Sequence, residues 1–402
     1  MRQQLEGSKA VAETVALCRP QVVCAYPISP QTHIIEALGE MIKAGRLTGA
    51  EFINVESEFA AMSVAIGASA VGARAYTATA SQGLLFMAEA VYNAAGLGLP
   101  VVMTLANRAI GAPINIWNDH SDAMAVRDAG WIQLFAEDNQ EACDMHVQAF
   151  RLAEELSVPV MVCMDGFILT HAFEGVDLPE QAAVDAFLSP RRPKVQLSWE
   201  NPTSIGAMVG PEAFSEVRYL AHLRQMDALD RIPALSREFQ ETWGRTSGGL
   251  ISEYRTEDAS TVVVAMGSML GTIKDAVDAR RELGQRVGVV GVKTFRPFPA
   301  DALAYALENT HHIITIEKAF SVGLGGVLAT DVTLAMHGSL CDLRSVVAGL
   351  GGRPITQSSL EGVLAAAADH ELAQLTFLDL DYDAVAQERN RIKEADAELV
   401  LS

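Results

Sequence analysis

Two acidic residues stand directly ahead of a long stretch of small residues. Glu56 and Glu58 occur in NVESEFAAMSVAIGASA, where they alternate with Val55 and Ser57. Alternate residues of an extended segment share a face, so both carboxylates are predicted to point the same way. An acid in apolar company is costly to bury unless it has a partner. Glu58 also fits a helix cap, and Glu56 also fits a surface charge or a buried ion pair.

A hydroxyl residue between two prolines follows the strand that comes before these acids. In AYPISP, Pro27 and Pro30 restrict the backbone on either side of Ser29. Ser29 is therefore placed to donate a hydrogen bond to a carboxylate, with help from the N-terminus of the next helix. A simple strand-to-helix turn explains the same residues equally well.

Two more polar segments follow predicted strands. Ser81, Gln82 and Gly83 form a strand-to-helix turn in TATASQGLL, where backbone N–H groups are free for a ligand unless the turn is simply capped. Arg108 directly follows LPVVMTLAN, at the carboxyl end of a strand, where α/β proteins bind ligands. Arginine grips a carboxylate through two parallel hydrogen bonds, although a structural ion pair with a nearby acid is the alternative.

The segment after Arg108 is unusually polar. Three neighbouring residues of an HSD triplet cannot easily face one ion, so we predict local hydrogen bonds and no metal site. The glycine-rich SVGLGGVL and GLGGRPIT segments lack the order of a dinucleotide-binding fingerprint and are predicted to be tight turns. The polar side chains of the segment are Asn115, Asn118, Asp119, His120, Asp122, Arg127 and Asp128.

Strands and helices alternate around these residues. The predicted strands are QVVCAYPIS, EFINVE, ARAYTAT, LPVVMTLAN and VPVMVCMDG, and helices are predicted over residues 32–44, 58–72 and 84–95. A second alternating series starts at STVVVAMG and continues through RVGVVGVKTFRPFP, HHIITIEKAF and SVVAGLGG. The pattern predicts an α/β fold of two domains, each a mostly parallel sheet covered by helices.

The boundary between the two predicted domains lies near residue 256. The first, residues 1–255, includes a proline-rich connecting segment with extended stretches such as SPRRPK and a surface helix from Phe214 to Arg231 that Pro233 ends. The second covers residues 256–402. The first 18 residues are predicted to form an amphipathic helix and lack the order of a signal peptide.

Composition narrows the class of protein further. A net charge of −20 argues against a nucleic acid or an anionic membrane surface as partner. The five cysteines are scattered without a C-x-x-C pair, which predicts buried reduced thiols in a cytoplasmic protein and no iron–sulfur ligand set. No apolar run reaches the roughly 18 residues of a membrane span.

Taken in order, these segments resemble the α subunit of the 2-oxoacid:ferredoxin oxidoreductases, the pyruvate:ferredoxin oxidoreductase family. The resemblance covers nearly the whole chain, and the ordered set is more specific than any one piece. It implies a thiamine diphosphate pyrimidine-binding domain followed by a transketolase C-terminal-like domain. The matching pieces are EGSKAVAE, AYPISPQTHIIEAL, NVESEFAAMSVAIGASA, TATASQGLLFM, NRAIGAPINIWNDHSD, RDAGWIQL, PVMVCMDGF, FRPFP and GLGGRPIT.

The resemblance also implies roles for individual residues. Glu58, with Glu56 as the fallback, looks like the glutamate that activates the aminopyrimidine ring of thiamine diphosphate. Ser29 and Arg108 look like the residues that hold the carboxylate of a 2-oxoacid. The cofactor-binding residues implied by the resemblance are Glu58, Pro27, Ser81 and Gln82.

The sequence departs from a complete enzyme of this kind. It has no GDG segment with a downstream asparagine to hold Mg²⁺ and pyrophosphate. The resemblance therefore implies a β subunit with that motif, a γ subunit, and a ferredoxin-like δ subunit with the iron–sulfur clusters, with CoA as co-substrate and ferredoxin or another protein as electron acceptor. Pyruvate is the expected substrate, with a branched-chain or aryl 2-oxoacid such as phenylglyoxylate as the alternative. The alternative function is that of a non-catalytic α/β scaffold subunit.

Overall fold

The computed structural model describes residues 2–191 and 193–401, with side chains to residue 392. Arg192, inside the predicted SPRRPK connection, lies outside these residues. The strands are β1 (Arg2–Glu6), β2 (Val22–Cys24), β3 (Glu51–Ile53), β4 (Ala75–Thr79), β5 (Val102–Asn107), β6 (Ile132–Phe135), β7 (Val160–Asp165), β8 (Phe173–Asp177), β9 (Ile251–Tyr254), β10 (Thr261–Ala265), β11 (Val287–Val292), β12 (Thr294–Arg296), β13 (His312–Glu317), β14 (Asp342–Val347) and β15 (Leu375–Phe377).

The helices cover the faces of the sheets. They are α1 (Gly7–Leu17), α2 (Thr32–Lys43), α3 (Glu58–Ala70), α4 (Ser81–Phe86), α5 (Ala88–Gly96), α6 (Ser121–Ala125), α7 (Asn139–Leu156), α8 (Gln181–Phe187), α9 (Phe214–Trp243), α10 (Met269–Glu282), α11 (Ala300–Ala306), α12 (Val327–Ala335), α13 (Gln357–Ala368) and α14 (Tyr382–Leu401), with a 3₁₀ turn at Leu350–Gly352. Among the described residues, no helix is both long and apolar enough to cross a lipid bilayer.

The first unit is built on a seven-stranded sheet in the order β12-β6-β7-β5-β4-β2-β3. The strands of this sheet that belong to the first unit pair in parallel. Strand β12 belongs to the second unit and pairs antiparallel with β6. The central strands β4, β5 and β7 are buried along their whole length, as expected for a parallel sheet covered on both faces. The small residues of α3 allow it to pack closely against β4 and α5.

The second unit is a six-stranded sheet in the order β15-β14-β13-β10-β11-β9. Its strands pair in parallel except β9, which runs antiparallel to β11. The predicted fold class, two mostly parallel sheets covered by helices, is confirmed. The boundary near residue 256 stays a prediction, and β9 just before it pairs with the second sheet.

Two local predictions were wrong. The helix predicted over the first 18 residues does not include the first of them, which form β1. This strand pairs antiparallel with β8, about 170 positions along the chain, and a local sequence pattern cannot reveal such a distant partner. Pro233 does not end a helix, because α9 runs through it from Phe214 to Trp243. Buried Ile232, Leu235 and Phe239 pack this helix into the first core, and such packing outweighs the hydrogen bond that proline removes.

Candidate active site

Polar residues gather at the carboxyl edge of the first sheet. Ser29 follows β2, Ser81 follows β4, Arg108 follows β5, and Asp165 ends β7. These four strands are neighbours in the order β7-β5-β4-β2. Because the carboxyl ends of parallel strands share one edge of the sheet, the fold brings together residues that lie far apart in the sequence.

Glu58 is the buried acid at this edge. It is the first residue of α3, after the N-cap Ser57, whose hydroxyl accepts the Ala60 N–H at 3.2 Å. Its side chain is 8% exposed and lies against Gly83. A Cβ on Gly83 would come within 2.7 Å of Glu58 Oε1, so only glycine leaves room for the carboxylate. Within the described residues, Glu58 forms no hydrogen bond or ion pair.

Glu56 does not share the position of Glu58. The strand predicted over residues 51–56 ends at Ile53, so the alternation of the two acids is not maintained by an extended strand. Glu56 is exposed, whereas Glu58 is buried. Its negative charge adds to burial in raising the pKa of the Cys24 thiol to about 11. The prediction that both acids share one face is therefore wrong.

Arg108 is the buried cation of the site. Only 6% of the residue is exposed. Its Nη1 donates to the Ser29 carbonyl at 2.9 Å, and its Nε donates to the Asn115 carbonyl at 3.1 Å. Burial lowers the pKa of Arg108, while the charge of Asp122 opposes that shift. Among the described residues the guanidinium has no carboxylate within ion-pair distance, which does not support the ion-pair interpretation of the sequence.

Ser29 contributes its backbone to Arg108. The residue is exposed, and the described contacts show its carbonyl oxygen, not its hydroxyl, against the guanidinium. Among the described residues, the Ser29 hydroxyl has no hydrogen-bond partner. Pro27, on the same turn, is also exposed.

Ser81 begins α4 in a left-handed backbone conformation with φ of 50°. Its hydroxyl lies 2.5 Å from the Ala109 carbonyl and also contacts the Gln82 amide oxygen. Gln82 reaches towards Gly111, where a Cβ would meet its Nε2 at 2.7 Å. The turn after β4 is thus held against the segment after β5.

Asp122 connects the two turns, a role that the sequence pattern did not reveal. One carboxylate oxygen accepts the backbone N–H groups of Ser81 at 3.0 Å and Arg108 at 2.9 Å. The other accepts the Asn107 side-chain amide at 2.9 Å and the Ala123 N–H at 2.8 Å. Burial raises the pKa of Asp122 to about 6, against the lowering effect of these donors.

A second buried acid joins the two units. Asp165 accepts from His120 Nε2 at 2.7 Å and from Lys318 Nζ at 2.7 Å, and it also contacts the hydroxyl and N–H of Ser268. Burial opposes ionisation, but Lys318 and His120 hold the pKa of Asp165 well below its usual range. This role was not predicted from the sequence, although the place of Asp165 at the end of the predicted strand VPVMVCMDG could have indicated it.

The polar segment after Arg108 docks on the second unit. Asp119 accepts the Gly351 N–H at 3.1 Å, and the Asn115 amide donates to the Gly351 carbonyl at 3.1 Å. Gly351 and Gly352 have positive φ, and a Cβ on Gly352 would meet the Trp117 side chain at 2.4 Å. The GLGGRPIT segment forms a tight turn that permits close backbone approach, as predicted. His120, Asp119 and Asp122 point to different partners, as expected for a segment with local hydrogen bonds.

The structure therefore brings most of the predicted site together. A continuous series of contacts runs from Ser29 through Arg108 and Asp122 to Ser81, and Glu58 lies beside Gly83 in the same turn. Glu56 takes part in none of these contacts. Each unit is an α/β fold built on a mostly parallel sheet. At one sheet edge, turns that contact each other hold buried charged side chains without ion-pair partners among the residues that the structure describes. These features define the class of protein: an α/β protein that binds its ligand at the strand ends.

Comparison with known proteins gives the family. The model of the pyruvate flavodoxin/ferredoxin oxidoreductase thiamine diphosphate-binding domain matches residues 13–236, and that of pyruvate:ferredoxin oxidoreductase core domain II matches residues 259–360. The pyruvate synthase subunit PorA of Methanosarcina barkeri is 49% identical over 365 residues, 90% of this chain and 91% of that protein. The ketoisovalerate oxidoreductase subunit VorA of Pyrococcus abyssi is 41% identical over 366 residues, 90% and 92% of the two chains.

Two solved structures share the fold. A 2-oxoglutarate:ferredoxin oxidoreductase from Magnetococcus marinus superposes with a TM-score of 0.67 at 17% identity, over 92% of this chain and 65% of that longer chain. A split gene transketolase superposes with a TM-score of 0.54 at 14% identity, over 92% and 99%. The chain belongs to the 2-oxoacid:ferredoxin oxidoreductase family, as an α subunit of that enzyme. The resemblance seen in the sequence is confirmed.

Proposed function

We propose that this chain is the α subunit of a thiamine diphosphate-dependent enzyme that converts pyruvate and CoA to acetyl-CoA and CO₂. Two electrons and a proton are released, and the electrons pass through iron–sulfur clusters of partner subunits to ferredoxin. Support for pyruvate comes from relatives named pyruvate synthase subunits at 49% and 42% identity. The ketoisovalerate relative at 41% identity makes a branched-chain 2-oxoacid the second candidate.

The observation that carries the proposal is the buried, unpaired guanidinium of Arg108. A cation that gives up water needs an anion or several acceptors in exchange, and Arg108 has two backbone carbonyls but no acid among the described residues. A planar guanidinium suits the carboxylate of a 2-oxoacid through paired hydrogen bonds. Ser29, whose carbonyl touches Arg108, presents its hydroxyl to the same ligand. Together they hold the carboxylate and orient the neighbouring carbonyl.

Glu58 fits the cofactor. Thiamine diphosphate supplies a nucleophilic carbon that adds to the 2-oxoacid carbonyl and accepts the electron pair released with CO₂. The buried carboxylate of Glu58, unpaired in the described structure and seated over Gly83, is suited to bond a ring nitrogen of the aminopyrimidine. With the cofactor bound, Glu58 would hold a proton at that nitrogen and would exchange it with the ring. We assign Ser81, Gln82 and Pro27 to the same cofactor site.

The charged end of the cofactor requires another chain. Because this sequence lacks the GDG motif, we assign Mg²⁺ and pyrophosphate binding to a β subunit. A γ subunit and a ferredoxin-like δ subunit complete the complex, and its location is cytoplasmic. The relatives' names as subunits support an assembly of several chains.

The purified complex tests the substrate. We expect reduction of a viologen dye that depends on thiamine diphosphate and CoA, with the highest kcat/KM for pyruvate among pyruvate, 2-oxoisovalerate, 2-oxoglutarate and phenylglyoxylate. A higher kcat/KM for 2-oxoisovalerate would replace pyruvate by the second candidate. A correctly assembled complex with no 2-oxoacid-dependent dye reduction would contradict the catalytic assignment and favour a scaffold.

The substitution Arg108→Lys tests whether Arg108 binds the carboxylate of the 2-oxoacid. It keeps the charge but loses the planar fork, so KM for the 2-oxoacid should rise on the order of tenfold or more, with a smaller change in kcat. Arg127→Lys is the matched control, because Arg127 lies in the same segment and, in the described part of the chain, its side chain contacts the Met124 carbonyl and the neighbouring Asp128. Equal KM values in the two variants would show that the carboxylate binds elsewhere.

A further inference from the structure

Three potential metal ligands converge on the first unit, outside the proposed active site. Glu6 ends β1, His33 lies in the first turn of α2, and His171 stands just before β8. Glu6 Oε1 and His33 Nδ1 are 2.6 Å apart, and the two imidazole rings have centroids 4.8 Å apart. One ligand atom from each residue lies within 4.8 Å of the others. In the part of the chain that the structure describes, no other three His, Cys, Asp or Glu residues converge as closely.

The backbone holds two of these ligands in place. Glu6 pairs with Phe173 in the β1–β8 ladder, and the Gly7 N–H donates to the Ala172 carbonyl at 3.0 Å. His171 is therefore fixed relative to Glu6 by the strand pairing itself. The third ligand, His33, is on a separate helix, so a bound ion would join three segments that are distant in sequence.

The chemistry of His171 suits metal binding. Its Nδ1 lies 2.8 Å from the Thr170 hydroxyl, a contact that orients the ring and leaves Nε2 with a lone pair when Nδ1 is the donor.

Access and spacing also fit. The side chains of His33 and Glu6 are 49% and 21% exposed, so an ion can enter and water can complete its coordination. Ligand atoms around tetrahedral zinc lie about 3.4 Å apart, as follows from bond lengths of about 2.1 Å. In the structure Glu6 and His33 share a hydrogen bond of 2.6 Å, so ion binding requires the half-exposed His33 side chain to rotate away from Glu6.

We propose that Glu6, His33 and His171 form a binding site for one first-row divalent transition metal ion, such as Zn²⁺. Two imidazoles and one carboxylate with open positions for water are a common ligand set for such ions, and the oxygen-rich sites preferred by Mg²⁺ and Ca²⁺ differ from it. The site is separate from the cofactor's Mg²⁺, which we assign to a partner chain. Metal would fasten the amino-terminal strand and α2 to the segment that follows β7.

Zinc titration of the full chain without a polyhistidine tag tests the site. After metal is stripped, isothermal titration should show one saturable Zn²⁺ equivalent, and added Zn²⁺ should raise the melting temperature. His33→Ala and His171→Ala should each weaken Zn²⁺ binding by at least about tenfold and remove the thermal shift. Added Co²⁺ should give the visible absorption of a low-coordinate nitrogen and oxygen site.

A second histidine pair provides the matched control. His312 and His370 have ring centroids 5.5 Å apart, and His312 lies 3.7 Å from Asp342, so two histidines and a carboxylate are again neighbours but without the close convergence. The double variant His312→Ala/His370→Ala should bind Zn²⁺ like the wild type. Absence of saturable binding would overturn the proposal, as would equal affinity in the wild type and in His33→Ala/His171→Ala.

Discussion

Glu58 and Glu56 differ in burial although they are two positions apart. Glu58 is buried against Gly83, whereas Glu56 is exposed. In the assembled complex, Glu58→Gln should keep the fold and reduce kcat by about 100-fold or more, because the amide cannot exchange a proton with the cofactor ring. Steady-state dye reduction measures the loss.

Glu56→Gln is the natural control for this substitution. Its side chain is exposed and makes none of the contacts that join Ser29, Arg108, Asp122 and Ser81, so its kcat should stay near the wild-type value. Full activity in Glu58→Gln, or a severe loss in Glu56→Gln instead, would reverse the assignment of the two acids.

Asp122 shows how one buried carboxylate organises two turns. All four of its hydrogen bonds are accepted ones, including the N–H groups of Ser81 and Arg108. Asp122→Asn puts a donor where two donors already point, so KM for the 2-oxoacid should rise several-fold or more. In the wild type, Asp122 takes up a proton as pH falls through about 6, and KM should rise there. The variant should lack this pH dependence.

Asp144→Asn separates positioning from simple loss of stability. Asp144, on α7, is as buried as Asp122 but pairs with Arg245, which follows α9, away from the active site. That variant should lose stability and keep the wild-type KM and its pH dependence. The same KM for Asp122→Asn and the wild type, at every pH, would remove Asp122 from the site.

The residues that could be placed at the site from the sequence are those whose location follows from their position after a strand. Arg108 and Ser29 stand after strands, and strand ends share an edge in a parallel sheet. Asp122 was recognised only as part of a polar segment, because its function depends on the meeting of two other turns. The different burial of Glu56 could not be predicted either, since it follows from where β3 stops.

At the scale of elements, Glu317 is a cap supplied from another strand. It ends β13, and its carboxylate accepts the N–H groups of Val327, Leu328 and Ala329 at 2.8, 2.8 and 3.0 Å, at the start of α12. Burial raises the pKa of Glu317 from 4.5 to about 7 despite these donors. Between about pH 4.5 and 7 the folded protein therefore holds a proton there that the unfolded chain releases.

The stability of the second unit should reflect this proton. Because the folded pKa lies above the unfolded one, the contribution of Glu317 is greatest below about pH 4.5 and is lost as pH rises to about 7. Relative to Glu317→Gln, the wild type should lose on the order of 3 kcal/mol over this window. Urea unfolding at several pH values measures the difference.

An exposed glutamate on the same unit, Glu308, supplies the comparison for this experiment. Glu308→Gln should unfold with the same pH dependence as the wild type. If the wild type and Glu317→Gln differ by a constant free energy across the window, the buried carboxyl does not titrate in it.

Elements with strong local signals were predictable, and those defined by distant partners were not. The strands ending at Asn107 and Asp165 are continuous apolar runs, so they stand out in the sequence. β1 is polar and becomes a strand only because β8 lies beside it. The passage of α9 through Pro233 likewise depends on packing against α7.

At the scale of the whole molecule, Asp165 and Lys318 form a buried ion pair between the units. Their side chains are 1% and 4% exposed. Lys318→Met leaves the acid with one less cation in a dry environment and should lower the free energy of unfolding by roughly 3–5 kcal/mol. The double variant Asp165→Asn/Lys318→Met should cost less than the sum of the single changes. Chemical denaturation of each variant gives these values.

Lys274 and Glu137 form a more exposed ion pair between the same two units, 2.5 Å apart. Lys274→Met should therefore cost less than about 1 kcal/mol. If Lys318→Met lowered the free energy of unfolding as little as Lys274→Met, the buried ion pair would stabilise the protein no more than the exposed one.

The strand β12 has a consequence for any attempt to divide this protein. Its residues belong to the second half of the sequence, yet they complete the edge of the first sheet beside β6. A gene cut at the boundary between the units would place that strand on the wrong polypeptide. The first fragment would keep an open sheet edge, which invites association with other chains. A usable split or fusion point must therefore transfer residues 294–296 to the amino-terminal piece.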